Sequence, residues 1–327
     1  MPTKPLGLIT LSVLMLSFAI SFLIPPAFSS SNYTIYIRPN GDIYPLTSDI
    51  QRVGDLYTLI SDLSCSIEIQ RDNIVVDGMS HKVEGSGSGK GIVLEGRKNV
   101  TIRNMTIDNF EYGVWLDSSL NNSILGNWIW IAWYGTGIQL FRSCRNRISE
   151  NRVDGGGNSG QYGLKLSDSS NHNNITGNII TANDIDIWVQ SSSNNTLSGN
   201  TADGVQYDPD GGHNGILLER SSYNTLRGNI MTTHRDYHFE VRGDRLVDFI
   251  NDIDTSNTVD RDPIVYWTSK RNGTVPIDAG YVALINCTNI VVKNLSIKGN
   301  KQGLLLVKTE NATIVENTLV QNDVGVE

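Results

Sequence analysis

The stretch NNITGNIITANDIDIWVQSSSNNTLSGN, residues 173–200, ends on a variant of the phrase with which it begins. Asn-Asn-Ile-Thr-Gly-Asn at 173–178 returns as Asn-Asn-Thr-Leu-Ser-Gly-Asn at 194–200. A chain that repeats itself every 20 to 30 residues or so builds one structural unit and stacks copies of it. The same unit recurs along most of this chain, and it decides the fold.

The first of two alternating phrases places an apolar residue two or three positions before an asparagine. Its asparagines are Asn104, Asn127, Asn151, Asn178, Asn200, Asn229, Asn294 and Asn317, with Asn251 a candidate copy in the long gap. We expect them at corners between strands, where asparagine tolerates the left-handed backbone conformation. Stacked through successive coils, their side chains would form a hydrogen-bonded ladder.

The second phrase is a short strand of apolar–x–apolar pattern that usually follows glycine, as in YGVWLDSS at 112–119 and NGILLERS at 214–221. Alternation of period two predicts strands whose apolar side chains point inward. The inward pairs are Val114/Leu116, Ile138/Leu140, Leu164/Leu166, Ile187/Val189, Ile216/Leu218, Phe239/Val241 and Leu304/Leu306. Because no segment sustains a helical apolar period, the sequence predicts an all-β solenoid with coils about 4.8 Å apart.

The N-terminus has the features of a targeting segment. Lys4 precedes an apolar run at 6–24, and Ala27-Phe28-Ser29 resembles a cleavage site. We expect residues 1–29 to be a cleaved signal peptide, with an uncleaved membrane anchor as the alternative. Either way, the rest of the chain is expected outside the cytoplasm, extracellular or at the cell surface.

The repeat also predicts the domain organisation. Residues 30–72 are expected to cap the first coil, and residues 73–327 to form the solenoid. Residues 252–281 depart from the period and predict an inserted β-hairpin with Asn272-Gly273 as its turn. The chain stops within a second phrase, so we expect a truncated product with more coils, a further domain or a membrane anchor beyond it. The alternative is that another chain covers this edge.

Charge and composition exclude some partners. The formal net charge is −8, which argues against a nucleic-acid ligand. Three cysteines, an odd and low number, do not make a disulfide framework. Among several Asn-x-Ser/Thr sequons, the glycosylation candidates are Asn121, Asn174, Asn194 and Asn272.

The non-repeating segments add to the coil motif. The first coils, SIEIQRDNIVVDGMSHKVEGSGSGKGIVLEGRKNVTIRNMTI at 66–107, and the late block beginning NDIDTSNTVDRDPIVYW at 251–267, resemble the NosD-like group of exported right-handed parallel β-helix proteins with PbH1 repeats. That group occurs in archaea and bacteria. The resemblance implies a right-handed helix in a class of carbohydrate-binding and sugar-hydrolysing proteins. The family's name also implies copper delivery to nitrous oxide reductase.

Aromatic side chains on the outward columns are the candidates for sugar binding. Trp115 and Trp188 fall three coils apart, roughly 14 Å at the strand spacing, and aromatic faces suit stacking on sugar rings. Tyr266 and Trp267 join them, because insertions in solenoids often project from the binding face. The alternative is that these rings pack beneath loops or against the insertion.

Acidic and basic side chains are the weaker candidates for catalysis. Glu219, Glu240 and Lys165 lie on the outward columns, with Glu219 and Arg242 expected to form a cross-strand ion pair. The loop DGVQYDPDGGHNG at 203–215 adds Asp208, Asp210 and His213. Its YDPD resembles the Tyr-x-Asp-Pro-His of alginate epimerases, with Asp210 in place of the histidine. Glycoside hydrolysis needs two carboxylates at a defined separation, and the sequence establishes no such pair.

Two metals and one apolar patch complete the candidates. Oxygen-rich turns can hold Ca²⁺, which makes Asp203, Asp208 and Asp210 weak calcium ligands, and His234 and His238 in HRDYH are weak copper ligands. In NWIWIAWYG, alternation places Trp128 and Trp130 on one face, either outward as a contact surface or inward in a widened core.

We therefore expect an exported β-helix protein that acts as a carbohydrate-binding or structural, adhesive module at the cell surface, with a polysaccharide or surface glycan as partner. The alternative is a polysaccharide-processing enzyme, either a lyase, a hydrolase or an epimerase. A second alternative, carried by the family name, is a periplasmic copper-binding accessory protein.

Overall fold

A computed structural model describes residues 33–155, 160–181, 184–204, 214–232 and 237–327. These residues form β-strands joined by short corners, with one 3₁₀ turn at Leu246–Phe249. Strands of the first segment are β1 (Thr34–Ile37), β2 (Ile43–Tyr44), β3 (Ile50–Val53), β4 (Leu56–Leu59), β5 (Ser66–Ile69), β6 (Val75–Asp77), β7 (Lys82–Glu84), β8 (Lys90–Glu95), β9 (Thr101–Arg103), β10 (Thr106–Asp117), β11 (Ser123–Leu125), β12 (Trp128–Phe141), β13 (Arg147–Ser149), β14 (Arg152–Asp154), β15 (Tyr162–Ser167), β16 (Asn174–Thr176), β17 (Ile179–Thr181), β18 (Ile185–Gln190), β19 (Thr196–Ser198), β20 (Thr201–Asp203), β21 (Asn214–Glu219), β22 (Thr225–Arg227), β23 (Ile230–Thr232), β24 (Tyr237–Arg242), β25 (Asp252–Ile253) and β26 (Thr258–Val259). Strands of the second segment are β27 (Asp262–Thr268), β28 (Arg271–Thr274), β29 (Tyr281–Ile285), β30 (Thr288–Lys293), β31 (Ser296–Lys298), β32 (Gln302–Val307), β33 (Thr313–Val315), β34 (Thr318–Val320) and β35 (Val324–Val326).

Each coil of the first segment gives one strand to each of three parallel sheets. The front sheet contains β1, β5, β8, the second halves of β10 and β12, β15, β18, β21 and β24. The flank sheet contains β7, the first halves of β10 and β12, β14, β17, β20, β23 and β26. The rear sheet runs from β4 through β6, β9, β11, β13, β16, β19 and β22 to β25. The described residues form a parallel β-solenoid, as the repeat predicts.

The core is a continuous apolar column between the three sheets. The six predicted inward pairs from Val114/Leu116 to Phe239/Val241 are completely buried, which confirms the register. Glycine precedes four of these six pairs, whereas Asp186 and His238 precede the other two. A Cβ on Gly113 would lie 2.7 Å from the carbonyl oxygen of Gly137 in the next coil, so the coils approach closely at this position.

Two buried asparagine ladders follow the rear sheet, one at each end of its strands. The first joins Asn122, Asn146, Asn173, Asn195, Asn224 and Asn251 through amide Nδ2–Oδ1 bonds of 3.1–3.2 Å. The second joins Asn127, Asn151, Asn178, Asn200, Asn229 and Asn257 through bonds of 2.7–3.0 Å. The predicted ladder is therefore confirmed, and there are two of them.

Two details of the ladder prediction are wrong. In most rungs the left-handed residue is the one before the asparagine, as at Gly126 and Glu150, whereas Asn104 and Asn294 take a positive φ themselves. The ladder requires each asparagine to be extended, with its side-chain amide pointing along the solenoid axis. The left-handed turn therefore falls at the residue before the asparagine. Asn251 belongs to the first ladder, and Asn257 supplies the missing copy of the second.

A second, shorter solenoid segment follows β26. Its sheets are β27–β29–β32–β35, β28–β30–β33 and β31–β34. The sheet β27–β29–β32 is buried on both sides: Ile264 and Leu305 enter the first core, whereas Val265 and Leu304 enter the second. Backbone of the second segment also bonds the last coil of the first, since His238 N donates to Gly299 O at 2.9 Å.

The predicted hairpin with its turn at Asn272-Gly273 is wrong, and a shorter hairpin lies before it. Strands β26 and β27 pair antiparallel across a two-residue turn at Asp260 and Arg261, both of positive φ. Asn272 and Gly273 lie instead in β28, which pairs parallel with β30. Asn272 does take a positive φ, at a solenoid corner, and a tight turn requires the same geometry. Sequence therefore cannot distinguish the two.

Part of the predicted N-terminal cap, residues 30–72, already has the parallel strand pairing of the solenoid. Strand β1 pairs parallel with β5, whereas β2 and β3 pair antiparallel with β1 and β4. The expected signal segment lies outside the described residues. Within those residues, no helix is long and apolar enough to cross a bilayer.

Candidate functional site

The outward side of the front sheet, called the front face below, carries most of the candidates. Register places the middle residues of successive strands in one column: Val93, Trp115, Gln139, Lys165, Trp188, Leu217 and Glu240. A second column two residues on runs through Asp117 and Phe141 to Glu219 and Arg242. The flat parallel sheet therefore holds aromatic, basic and acidic groups at fixed intervals along one face.

The first cluster on this face surrounds Trp115. Tyr112 meets its ring edge-on with centroids 4.8 Å apart, and Phe141 stacks at 6.2 Å. The Lys90 ammonium sits 4.0 Å above the ring and pairs with Glu95 at 3.0 Å. Aromatic neighbours and a cation–π contact hold the indole in one orientation.

The second cluster repeats this arrangement three coils later. Lys165 Nζ lies 3.8 Å above the Trp188 ring and 5.0 Å from the Tyr162 ring. Burial lowers the pKa of Lys165, and the charge of Glu219 opposes that effect. Among the described residues, no carboxylate lies within ion-pair distance of Lys165. The cluster therefore presents a half-buried cation whose main stabilising partners are aromatic rings.

Carboxylates lie at the next coils of the same face. Glu219 Oε2 accepts from Trp188 Nε1 at 3.1 Å and from Gln190 Nε2 at 3.0 Å, which fixes the indole from its edge. Arg242 Nη2 lies 3.4 Å from Glu219 Oε1, so the predicted ion pair is confirmed.

Glu240 is the most buried acid of this group. It accepts from Asn214 Nδ2 at 3.1 Å and lies 3.5 Å from Arg242. Burial raises its pKa, while the charges of Arg242 and Lys301 and the Asn214 hydrogen bond act in the opposite direction. A buried acid with a raised pKa and a buried amine with a lowered pKa thus occupy one face.

A cavity of about 850 Å³ opens at the N-terminal end of the front face. Its lining includes Lys90 and Glu95 of the first cluster, together with Glu68 and the Glu84–Gly89 corner. The cavity is therefore continuous with the first aromatic cluster, although it is several coils away from Glu219 and Glu240.

The insertion candidates lie elsewhere. Tyr266 is buried between the two segments, and its hydroxyl donates to Phe249 O at 2.5 Å. The prediction that Tyr266 binds sugar is wrong, because β27 is covered on both sides. Trp267 packs against the second core, half-buried, with Lys270 Nζ 3.5 Å above its ring.

Several candidates from the Asp203–Gly215 loop and its neighbour, namely Asp208, Asp210, His213 and His234, lie outside the described residues. Asp203 accepts from Thr232 Oγ1 at 2.8 Å on the flank sheet. The four glycosylation candidates, Asn121, Asn174, Asn194 and Asn272, are exposed.

Copper does not fit the residues that the structure describes. No group of three or more His, Cys, Asp or Glu side chains comes together among them. His238 is buried, with Nδ1 2.5 Å from Gly299 O and Nε2 3.1 Å from Asp260 Oδ1. The cysteines are unbridged and dispersed, with Cys65 in the first core and Cys287 in the second.

Sequence reasoning missed the first position of each front strand. Lys90, Tyr112 and Tyr162 stand there, immediately before the glycine of the second phrase, and each contacts a front-face indole or its lysine. The signal was available, since Tyr-Gly-x-x-Leu at 112–116 and 162–166 repeats an aromatic at that position.

Comparisons with known proteins agree with this architecture. The chain matches the family described as periplasmic copper-binding protein (NosD) over residues 58–207, and the right-handed β-helix region over residues 186–327. No curated relative matches. The fold and the repeated face define a right-handed parallel β-helix protein. The family matches add that the chain is similar to NosD over residues 58–207.

Solved structures with a similar fold are distant. An alginate lyase from Paenibacillus sp. str. FPU-7 is 12% identical, with 77% of this chain and 92% of that chain covered and a TM-score of 0.44. The catalytic domain of a GH87 alpha-1,3-glucanase in complex with nigerose is 15% identical, with 83% and 62% covered and a TM-score of 0.45. An exopolygalacturonase from Thermotoga maritima is 13% identical, with 82% and 75% covered and a TM-score of 0.43.

Proposed function

We propose that this protein is an exported module that binds an acidic, carboxylated polysaccharide along the front face without cleaving it. The observation that carries the proposal is Lys165, a half-buried ammonium held between Tyr162 and Trp188 with no described carboxylate in ion-pair range.

Burial disfavours the charged form of Lys165 and lowers its pKa, and the charges of Glu219 and Asp168 offset this effect only in part. A uronate carboxylate placed beside the ammonium would stabilise it, and the hydrocarbon face of the sugar would contact the surrounding rings. The cluster at Trp115 offers a second aromatic surface roughly 14 Å away, although its Lys90 is already paired with Glu95.

The test is affinity electrophoresis through gels cast with alginate or polygalacturonate, followed by staining for the polymer. We expect retardation of the wild type with an intact polymer background. Lys165→Gln is expected to weaken binding about tenfold, ~1.4 kcal/mol, and Trp188→Ala at least as much. Added salt should weaken wild-type binding, since the interaction is electrostatic.

Lys270→Gln is the matched control, because Lys270 also sits over a tryptophan, Trp267, but away from the front face. Its binding should equal that of the wild type. If Lys165→Gln and Lys270→Gln are retarded equally with every acidic polymer, the front face is not the binding site.

A polysaccharide-processing enzyme is the second candidate, favoured by the opposite pKa shifts of Glu240 and Lys165. Register places the two groups three coils apart, roughly 14 Å, so each would act at a different position along a bound chain. Cleared zones around the band, or unsaturated ends absorbing in the ultraviolet, would identify turnover. Loss of that turnover in Glu240→Gln, with binding retained, would assign the acid.

Export is part of the proposal. The signal-like residues 1–29 and the periplasmic description of the matched family support it. Expression of the full chain with fractionation, and N-terminal sequencing of the exported form, tests it. A protein found only in the cytoplasmic fraction with residue 1 intact would contradict this part.

A further inference from the structure

Trp128 and Trp130 form an exposed aromatic surface on the flank sheet, separate from the front face. They are 44% and 41% exposed, and their ring centroids lie 5.5 Å apart. Two large indoles side by side on a flat sheet are rare without a ligand or partner, because soluble proteins keep such patches small.

Hydrogen bonds to the next coil hold the Trp128 side chain in place. Trp128 Nε1 donates to Asp154 Oδ2 at 2.6 Å, and Arg152 Nε donates to the same oxygen at 2.7 Å. The Asp154 side chain is only 6% exposed, and its other oxygen accepts from Thr181. A buried carboxylate with three donors therefore fixes Trp128, which reduces the entropy lost when a ligand stacks on it.

Polar groups surround the two rings in register. Asp108 and Asp154 stand on either side of Trp130 in neighbouring coils, while Thr106 and Arg152 stand on either side of Trp128. Beside Trp128 lies a hollow of about 370 Å³ whose wall includes Ser80, Asn104 and Thr106. A flat apolar surface bordered by carboxylate, guanidinium and hydroxyl groups matches a pyranose, which has an apolar face and a rim of hydroxyls.

Unlike Trp188 on the front face, Trp128 and Trp130 have no lysine over their rings among the described residues. The outer column through Trp130 carries Glu84, Asp108, Asp154 and Asp203. Carboxylates accept hydrogen bonds from sugar hydroxyls but repel uronates.

We propose that Trp128 and Trp130 form a second glycan-binding platform, selective for neutral polysaccharide chains. This inference stands apart from the proposed function of the front face, because it concerns other residues and another class of glycan.

The experiment compares migration through gels containing hydroxyethyl cellulose, galactomannan or dextran, and through gels containing alginate. The wild type is expected to be retarded by at least one neutral polymer. Trp130→Ala should weaken that retardation at least tenfold while leaving alginate binding unchanged. Lys165→Gln should have no effect with the neutral polymers.

Ile230→Ala is the matched control, since Ile230 is a similarly exposed apolar side chain on the same sheet. It should bind like the wild type, and circular dichroism should show that both variants are folded. The proposal is overturned if no neutral polymer retards the wild type, if Trp130→Ala is retarded as strongly as Ile230→Ala, or if Trp130→Ala abolishes self-association measured by sedimentation, which would identify a protein interface.

Discussion

The asparagine ladder makes a quantitative prediction at Asn178, in the middle of the second ladder. Its Nδ2 donates to Asn200 Oδ1 and to Ile148 O, both at 2.9 Å. Its Oδ1 accepts from the backbone amide and the side-chain amide of Asn151, both at 3.0 Å. The completely buried Asn178 side chain thus forms four hydrogen bonds that join three coils.

Asn178→Ala removes all four bonds and leaves no room for bulk water to replace them. At about 1 kcal/mol net for each bond, the free energy of unfolding should fall by about 4 kcal/mol. For a chain of this size, that corresponds to a fall in Tm of roughly 6 °C. The assay is urea denaturation followed by circular dichroism, with thermal melts as the second readout.

Asn174→Ala is the control, because Asn174 lies in the adjoining strand but is exposed. It should change stability by less than about 0.5 kcal/mol. A loss below about 1 kcal/mol for Asn178→Ala, or one equal to the control, would refute the assignment of the ladder as a main source of stability.

Three further perturbations test the core, the junction and the buried acid. Leu166→Ala should cost about 2–5 kcal/mol of unfolding free energy by urea titration, since the side chain is completely buried; a neutral result would contradict the inward register. Tyr266→Phe should cost about 1 kcal/mol through the lost bond to Phe249 O, and unchanged denaturation would mean that this bond contributes nothing. Burial raises the folded pKa of Glu240, so its charge costs stability above that pKa and the cost disappears as pH falls. Glu240→Gln should therefore melt above the wild type at neutral pH and together with it in acid, and a lower Tm at neutral pH would show that the charged form is stabilised overall.

The coil architecture could be predicted because each coil applies the same local rules. Leu164 and Leu166 alternate with outward residues, and the asparagines return at the coil period, so register and ladder are both visible in the sequence. The Glu219–Arg242 pair followed from the same register.

The side-chain arrangement on the front face could not be predicted in the same way. Register places Lys165 beside Trp188, but only rotamers decide that the ammonium folds over the indole. The prediction for Tyr266 fails for a different reason: a projecting insertion would expose this side chain, whereas β27 is buried on both sides. The continuous apolar runs IVY at 264–266 and LLLV at 304–307 are typical of strands buried on both sides, and they indicate the second core.

The sheet β27–β29–β32 is a shared wall between the two solenoid segments, with Leu305 in one core and Leu304 in the other. Linear repeat proteins usually unfold piecewise, because each unit contacts only its neighbours. Here, unfolding of the last coil of the first segment would expose the shared sheet to solvent. Unfolding of the second segment would likewise expose the buried side chains of Phe239 and Tyr266. The shared wall couples the two segments into one cooperative unit, so fraying that begins at the C-terminal coils is arrested at this sheet rather than passing along the rod.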